Sequence, residues 1–457
     1  MRSNWRVPVV PLLLLLLACG VRSLVCLRTV VPGRDGAHYL WLAERCANGD
    51  FSALFGSVFH PGYPLLTAGV LRMAPLSDTF LVGQFTSAAC AALAVVPLYY
   101  LSRALYGERA ALWACLGYAL GTWFCRHPAE CMSEGPFYLS AVVFALALLR
   151  GRPAIAGVMG AIAYWVRPEG AALLLFGCVW LLFRRERRAL FGLLLTGLPV
   201  AALLPLCYAI FGQGFTLSPK ADFCYEVGVG QEFNPFGYYC SHLVKIPSAA
   251  FEGLGFVVLP LMLLGAFWCR PRKVQDFAFL LIAPLLLQCL VMPLLRSHYR
   301  FVSGLGILWF PFAGYAFVQI LVALSNRPRA LRWLCVLIFI VADVGLLQAR
   351  GHDRIVEQQL GRWLQNQLGA EDLVASDMPT LEWYAGQKPP PPKPILAADI
   401  LVRAKEPRCR FVLWVVGRTD LDPSILSKLG YRKAELPESL QELLAARPIL
   451  VLTRNGG

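Results

Sequence analysis

This sequence has few charged residues. Only 15% of its 457 residues are charged and its mean hydropathy is +0.57, whereas soluble globular proteins carry charge at about 25% of positions. Long apolar runs take the place of the missing charged residues. They include PVVPLLLLLLACGV and FGLLLTGLPVAALLPLCYAI. Runs approaching about 20 residues span a hydrocarbon core, and in lipid they must be helical. The scarcity of charge therefore excludes an ordinary soluble domain and predicts an α-helical polytopic membrane protein.

Metal-binding motifs are also missing. The 15 cysteines include no CxxC pair, and no HExxH string occurs, so the spacing typical of zinc sites is absent. Most of the cysteines lie inside apolar runs, where a free thiol packs as a small hydrophobe. Cys224 and Cys240 share one predicted outside loop, where a disulfide and two thiols both stay open. We expect neither a metal nor another cofactor.

The charge that is present is mostly basic, with 42 Lys and Arg against 28 Asp and Glu and a formal net charge of +14. An excess of this size is compatible with a nucleic-acid partner, but its placement indicates a membrane. Basic residues occupy every second break between apolar runs, beginning with Arg2 and Arg6 and continuing with Arg103 and Arg109. This is the positive-inside pattern, and it predicts about eleven transmembrane helices with a cytoplasmic N-terminus. We expect an integral protein of a bacterial-type inner or plasma membrane, with its C-terminal domain outside and no nucleic-acid partner.

The first apolar run has a second interpretation. MRSNWR followed by a leucine-rich stretch also fits a secretory signal peptide. Because a polytopic body follows at once, an uncleaved first helix is the better interpretation.

Composition divides the chain near residue 350. Residues 1–350 contain the apolar runs and a long first outside loop, residues 28–79, in which RDGAHYLWLAERCANGD and FHPGYPLLTAGVLRM predict two short helices on the membrane surface. Residues 351–457 combine the amphipathic segment RIVEQQLGRWLQNQLG with the β-type runs DLVAS, FVLWVV and PILVLT. This change predicts a small soluble α/β domain outside the membrane.

The remaining charges concentrate at the predicted outer ends of the helices, where a charge is costly to hold and function is expected. Besides the start of the first loop, the turns FCRHPAECMSEGPF, WVRPEG and LRSHYRF carry them. The candidates are Asp35, Arg126, His127, Glu134, Arg167, Glu169, Arg296, His298 and Arg300. A carboxylate at this depth can deprotonate an acceptor, and guanidinium groups can hold the phosphate of a lipid-linked donor. The set is typical of sugar transfer from a polyprenyl phosphate, which inverts the anomeric carbon when the acceptor attacks directly.

Several strings, taken in order, resemble the GT-C superfamily of integral-membrane glycosyltransferases. They are RDGAHYLWLAERCANGD, FHPGYPLLTAGVL, SEGPFYLSAVVFALAL, WVRPEGAALLLF and RSHYRFVSGLGILWF. The likeness is to the branch of protein O-mannosyltransferases and the lipid A aminoarabinose transferase, and it covers nearly the whole chain. It implies a polyprenyl-phosphate sugar as donor, a lipid, glycan or protein as acceptor, surrounding membrane lipids, and no catalytic metal.

The resemblance implies roles for matching positions. Asp35 matches a first-loop aspartate proposed as the catalytic base or as the group that positions the acceptor, and Glu134 matches an acidic residue at the start of the fourth helix, so both are catalytic candidates. Arg300 and Arg296 match basic residues near the lipid phosphate. Many members carry an Asp-Glu pair in the first loop, whereas Gly36 follows the aspartate here. Other candidates are Arg126 and Arg167 for the donor phosphate, and His60, Tyr63, His127, Glu169 and His298 for substrate.

Each candidate also has a structural interpretation. Asp35 suits the cap of a surface helix, Arg167 and Glu169 can pair across a tight turn, and Arg300 can anchor a helix end at the interface. For the whole chain the alternatives are a secondary transporter and a non-catalytic protein that binds the lipid carrier. Transporters place charges near the bilayer midplane, whereas this sequence concentrates them at one end of its helices.

Overall fold

The computed structural model describes residues 9–74, 78–211, 214–227, 234–268, 272–295, 299–341, 354–389, 397–416, 421–446 and 449–454. The chain divides into two compact units. The first unit contains residues 1–27 and 45–348, and the second contains residues 28–44 and 349–457. Residues 28–44, at the beginning of the long loop predicted after the first helix, are therefore grouped with the C-terminal part of the chain.

The first unit is helical. Its helices, with α2 shared with the second unit, are α1 (Val9–Arg28), α2 (Arg34–Ala47), α3 (Phe51–Phe55), α4 (Gly62–Met73), α5 (Thr79–Leu93), α6 (Val95–Tyr106), α7 (Glu108–Leu120), α8 (Thr122–Ala129), α9 (Glu134–Leu149), α10 (Pro153–Val166), α11 (Gly170–Phe183), α12 (Arg187–Ile210), α13 (Pro219–Val227), α14 (Pro235–Leu243), α15 (Ile246–Leu254), α16 (Val258–Trp268), α17 (Arg272–Leu295), α18 (Tyr299–Gly306), α19 (Phe310–Ala323) and α20 (Arg329–Val341). A 3-10 turn, Ile307–Trp309, joins α18 to α19.

Within the described residues, four helical stretches are long and apolar enough to cross a membrane. They are Val9–Arg28, Thr79–Tyr106, Arg187–Ile210 and Arg300–Ala323. A fifth is formed if α15 and α16, which meet at a bend of 103°, count as one span. Shorter apolar helices are also present, including α9, α10 and α11. The chain is thus built as an integral membrane protein, and about eleven crossings remain a prediction.

Aromatic rings fill the core where α7, α8, α9 and α19 meet. Tyr118 and Phe124 pack edge to face with centroids 5.4 Å apart, and Phe310 lies 5.0 Å from Phe124. All three side chains are almost completely buried. Such edge-to-face pairs add stability beyond the area they bury, and here they fix the short helix α8 against its neighbours.

The second unit has a four-stranded mixed sheet in the order β1-β2-β4-β3. Its strands are β1 (Leu373–Ser376), β2 (Cys409–Val415), β3 (Tyr431–Lys433) and β4 (Ile449–Arg454), and its helices are α21 (Ile355–Gln367), α22 (Pro379–Tyr384), α23 (Ala397–Ala404), α24 (Pro423–Lys428) and α25 (Glu438–Ala446). β1 and β2 are parallel, while β4 runs antiparallel to β2 and β3. Apolar side chains cover both faces of the sheet.

Secondary structure follows the sequence in the segments that matter for function. The first loop forms α2 and α4 where two helices are predicted, with the short α3 between them. The amphipathic segment becomes α21, and the three β-type runs become β1, β2 and β4. The choice between a Cys224–Cys240 disulfide and two thiols concerns a side chain, that of Cys224, which lies outside the described residues.

Candidate active site

Glu134 begins α9 and lies at the centre of a buried group of charges. Its Oε1 is 2.6 Å from Arg167 Nη1 and accepts a hydrogen bond from Arg300 Nε at 3.0 Å. Its side chain is 0% exposed, that of Arg167 7% and that of Arg300 17%. Arg300 is therefore the cation of this group that solvent reaches most easily.

Glu169 completes the group, which we call the Glu134 cluster (Glu134, Arg167, Glu169 and Arg300). Arg167 Nη2 donates to Glu169 Oε1 at 2.7 Å, and both residues lie in the turn between α10 and α11. The two acids and two guanidinium groups balance each other formally. Buried charges are tolerated when they are paired in this way. Glu134 Oε2 is buried and has no hydrogen-bond partner among the described residues, so it can accept one more donor.

The turn that presents Glu134 is held by helix α5. Gln84 Nε2 donates to Ala129 O at 2.8 Å, and Ser87 Oγ donates to Met132 O at 2.6 Å. A Cβ added to Gly135 would overlap the Ser87 carbonyl oxygen. Glycine after Glu134 therefore allows α9 to approach α5 closely enough to fix the carboxylate.

The same turn contains a strained residue. Cys131 has a φ of 59°, in the left-handed region where an ordinary side chain costs roughly 1–2 kcal/mol. It lies three positions before Glu134 and is fully buried. Strain of this kind is often found at functional sites.

His127 and Arg126 lie on α8, close to this turn. The buried His127 ring stacks on Trp123 with centroids 5.3 Å apart, and its Nδ1 is 3.4 Å from Tyr138 Oη. The Arg126 guanidinium lies 5.5 Å from the centre of the Trp123 ring. The Trp123 ring thus contacts both His127 and Arg126, the two residues of α8 that the sequence predicts to be functional.

A cavity of about 190 Å³ adjoins α8. It lies between the start of that helix and the bend from α15 to α16, and Thr122, Trp123, Phe251, Glu252 and Phe256 are among the residues that line it. The residues that line it therefore include aromatic side chains, a hydroxyl-bearing side chain and an acid.

His60 and Tyr63 are buried and have structural partners. His60 Nδ1 donates to Tyr164 O at 2.8 Å, and its Nε2 is 3.0 Å from Ser218 Oγ. Burial lowers the pKa of His60 to about 4. Tyr63 Oη donates to Gly83 O at 2.9 Å. Both side chains therefore tie α4 and the segment before it to neighbouring parts of the bundle.

Asp35 belongs to the other compact unit. It lies in the first turn of α2, one residue inside the helix, and the residue is only partly exposed. An acid in the first turn is favoured by the helix dipole. Arg296 and His298 lie outside the described residues.

Two cations were missed by the sequence analysis. Arg22, in α1, is 1% exposed and donates to Tyr118 O and Ala119 O at 3.4 and 3.5 Å, at the end of α7. A lone charge inside an apolar run is a signal for such a residue. Lys220, on α13, lies 4.5 Å from the centre of the Phe59 ring and interacts electrostatically with Glu169. No sequence motif marks Lys220.

Solved structures share this architecture at low identity. ArnT from Cupriavidus metallidurans bound to undecaprenyl phosphate has a TM-score of 0.63 and 14% identity, over 98% of this chain and 98% of that chain. The Archaeoglobus fulgidus oligosaccharyltransferase in the apo form has a TM-score of 0.63 and 14% identity, over 90% of this chain and 70% of that chain.

A third structure is the archaeal oligosaccharyltransferase AglB from Archaeoglobus fulgidus, in complex with an inhibitory peptide and a dolichol-phosphate. Its TM-score is 0.55 at 15% identity, over 89% of this chain and 69% of that chain. No protein-family model matches the chain, and no curated protein sequence does. The structural likenesses confirm the resemblance that the sequence motifs carry, at the level of the fold.

Proposed function

Because this chain has the GT-C fold of membrane glycosyltransferases, we propose that it is an inverting glycosyltransferase. It would move a sugar from a polyprenyl-phosphate-linked donor to an acceptor at the outer face of the membrane. The observation that carries the proposal is the Glu134 cluster, in which one buried carboxylate holds two guanidinium groups. Two of the matched structures hold lipid phosphates, undecaprenyl phosphate in ArnT and dolichol-phosphate in AglB.

In this proposal Arg300 binds the donor phosphate. It is the more exposed guanidinium of the cluster, and guanidinium groups bind phosphate through charge-assisted hydrogen bonds. Arg126 and Arg296 serve as further phosphate contacts. Arg167 pairs with both Glu134 and Glu169, so we propose that it holds these two acids in place and does not contact the donor.

Glu134 and Glu169 then position cations and do not transfer protons. Glu134 is completely buried and its Oε1 faces two guanidinium groups. A general base must come within hydrogen-bond reach of the proton it takes, and this burial keeps an acceptor away. His60, Tyr63 and His127 also support the bundle through their buried contacts, and His298 is assigned to substrate.

Asp35 is the proposed catalytic base. It is partly exposed, and a catalytic base must be open to the acceptor that it deprotonates. The acceptor hydroxyl gives its proton to the Asp35 carboxylate while its oxygen bonds to the anomeric carbon. The bond from that carbon to the phosphate oxygen breaks, and polyprenyl phosphate leaves with the electron pair. Attack opposite the leaving group inverts the anomeric configuration.

The cavity beside α8 is the proposed place for the sugar ring. Trp123 offers a flat apolar face, and Thr122 and Glu252 offer hydrogen-bonding groups. The aromatic ring also approaches Arg126, a proposed phosphate contact. Sugar and phosphate of one donor would therefore bind at adjacent places.

The remaining features of the proposal concern topology and acceptor. Residues 1–350 form the transmembrane catalytic part, with about eleven crossings and a cytoplasmic N-terminus. Residues 351–457 form the outside domain. The acceptor is a lipid, a glycan or a protein, and no catalytic metal takes part. Among the described residues, no group of three or more His, Cys, Asp or Glu is arranged to hold a metal ion.

A non-catalytic carrier-binding or transport protein is the alternative. The pairing of acids with guanidinium groups in the Glu134 cluster favours it, because a charge-balanced cluster can hold a headgroup without chemistry. Turnover separates the two functions.

The test uses the protein in nanodiscs with a panel of radiolabelled polyprenyl-phosphate sugars. Wild type is expected to release or transfer sugar from one donor. Arg300→Gln is expected to need more donor for the same rate, while Arg184→Gln, a change in an exposed ion pair, is expected to behave as wild type. Binding of the carrier with no sugar released from any donor, with lipid, glycan and peptide acceptors supplied, would support the alternative.

A further inference from the structure

Within the second unit, residues from the C-terminal part of the chain hold the start of helix α2, the helix that carries Asp35. Pro32 precedes α2 by two residues, and its carbonyl oxygen accepts a hydrogen bond from Arg354 Nη1 at 3.1 Å. Arg354 lies at the beginning of α21. The backbone that leads into α2 is therefore attached to the C-terminal part of the chain, three positions before Asp35.

Arg354 is itself held in place. Its Nη2 donates to Glu357 Oε2 at 2.9 Å and also contacts the Thr380 hydroxyl. Glu357 is 2% exposed and Thr380 is completely buried. A guanidinium fixed on two sides presents its remaining donor in one direction, which suits a positioning contact.

The other end of the same segment is also attached. Trp383, on α22, donates from Nε1 to Glu44 Oε2 at 3.4 Å. Between the two attachments, Lys388 Nζ lies 5.6 Å from the centre of the Trp41 ring. The nine residue-to-residue steps from Asp35 to Glu44 span about 14 Å of helix at 1.5 Å per step, so contacts at both ends restrain tilt and shift.

Buried contacts hold the helix that carries Trp383. Glu382, next to Trp383, is buried and pairs with Arg403 at 2.8 Å, and it accepts a hydrogen bond from the backbone N–H of Ser376 at 3.0 Å. Ser376 ends strand β1. Helix α22 is thus tied to the sheet, and through Trp383 the sheet restrains α2.

We infer that the C-terminal part of the chain positions Asp35 by holding α2 at both ends, with Arg354 and Trp383 as positioning residues. The inference rests on the proposed function for the role of Asp35. It gives the outside domain a task in the reaction, because a small displacement of a catalytic base lowers the rate strongly.

Three variants test it in nanodiscs. Arg354→Met removes every donor of the guanidinium and keeps most of the stem, and Trp383→Phe keeps a ring and removes the N–H. Arg362→Met is the matched control, because Arg362 is exposed on the same helix α21 and its guanidinium lies over Tyr384. Arg354→Lys keeps the charge and one donor group.

The first measurement is hydrogen–deuterium exchange of the peptide that covers residues 34–44. We expect exchange about tenfold faster in Arg354→Met and in Trp383→Phe, with β2 unchanged, since each removes about one hydrogen bond from the local opening equilibrium. Arg354→Lys should fall between, and Arg362→Met should match wild type. Unchanged exchange of α2 in both test variants would overturn the inference.

The second measurement is sugar transfer from the donor that wild type uses. We expect kcat to fall about tenfold with KM for the donor nearly unchanged, and no further loss when Arg354→Met is added to Asp35→Asn. Faster exchange with normal kcat would overturn the positioning role. Wild type that turns over no donor would tell against the proposed function, while the exchange measurement would still decide whether α2 is held as inferred.

Discussion

Arg300 donates a hydrogen bond from Nε to Glu134 Oε1 at 3.0 Å, although the two residues are 166 positions apart. The same oxygen lies 2.6 Å from Arg167 Nη1. One carboxylate therefore ties α9 to α18 and to the turn between α10 and α11. Removal of its charge should affect all three segments.

Glu134→Gln keeps the shape of the side chain and removes its charge. The buried Arg167 and the partly buried Arg300 then lose their shared partner, and breaking a buried ion pair from one side costs about 3–5 kcal/mol. We expect a clearly lower Tm in detergent by differential scanning fluorimetry. Glu186→Gln, which breaks an exposed pair with Arg184, should melt almost as wild type. Equal melting of Glu134→Gln and wild type would contradict the buried pair.

Gly135→Ala should separate α9 from α5. The added methyl group overlaps the Ser87 carbonyl oxygen, and overpacking of this kind costs about 1–3 kcal/mol. Gly69→Ala is the control, since a Cβ on this helical glycine meets nothing within 4 Å, and alanine should be neutral or stabilising there. The comparison of the two Tm values checks the prediction, and a stabilised Gly135→Ala would refute it.

Acidification should destabilise the protein through His60. Burial lowers its pKa in the folded protein from the ordinary value of 6.5 to about 4. Between these two values the unfolded chain binds a proton that the folded protein does not, so the free energy of unfolding falls as pH falls from about 6.5 to about 4. We expect the drop in Tm from pH 7.5 to pH 5 to be smaller in His60→Gln than in wild type. An identical drop in Tm in the two proteins would show that protonation of His60 does not cause the acid destabilisation.

Loss of the Trp123 ring should weaken binding of the sugar and not of the carrier. Trp123→Leu removes a flat face from the cavity beside α8, and we expect affinity for the sugar-bearing donor to fall about tenfold. Affinity for bare polyprenyl phosphate should hold. Trp333→Leu, which changes an exposed tryptophan on α20 that does not line this cavity, serves as the control. The affinities of both lipids are measured directly in nanodiscs. An equal loss of affinity for the sugar-bearing donor and for bare polyprenyl phosphate would indicate that the sugar does not bind in this cavity.

The sequence was most informative where a pattern is local. Hydrophobic periodicity was enough to predict α21 and the strands β1, β2 and β4. β3, of only three residues and paired with β4 alone, carries too short a pattern to be recognised. The resemblance to GT-C enzymes rests on several motifs that are weak individually but occur in the order typical of the family. The structural matches confirm this resemblance at the level of the fold.

Contacts between distant segments could not be predicted. Glu134, Arg167 and Arg300 were each candidates because of their expected depth, but their shared oxygen depends on how three segments pack. Arg22 was overlooked because its partners are backbone carbonyl groups, so no acidic residue in the sequence indicates a partner for its charge. The attachment of α2 to Arg354 and Trp383 joins residues more than 300 positions apart.

The most direct test of the central claim is a single-turnover reaction with wild type and Asp35→Asn in nanodiscs, with donor binding measured on the same samples. The account predicts equal donor binding, transfer by wild type with inverted anomeric configuration, and a rate at least about a hundredfold lower in Asp35→Asn, as expected for loss of a general base. Transfer at equal rates by the two proteins would contradict the account.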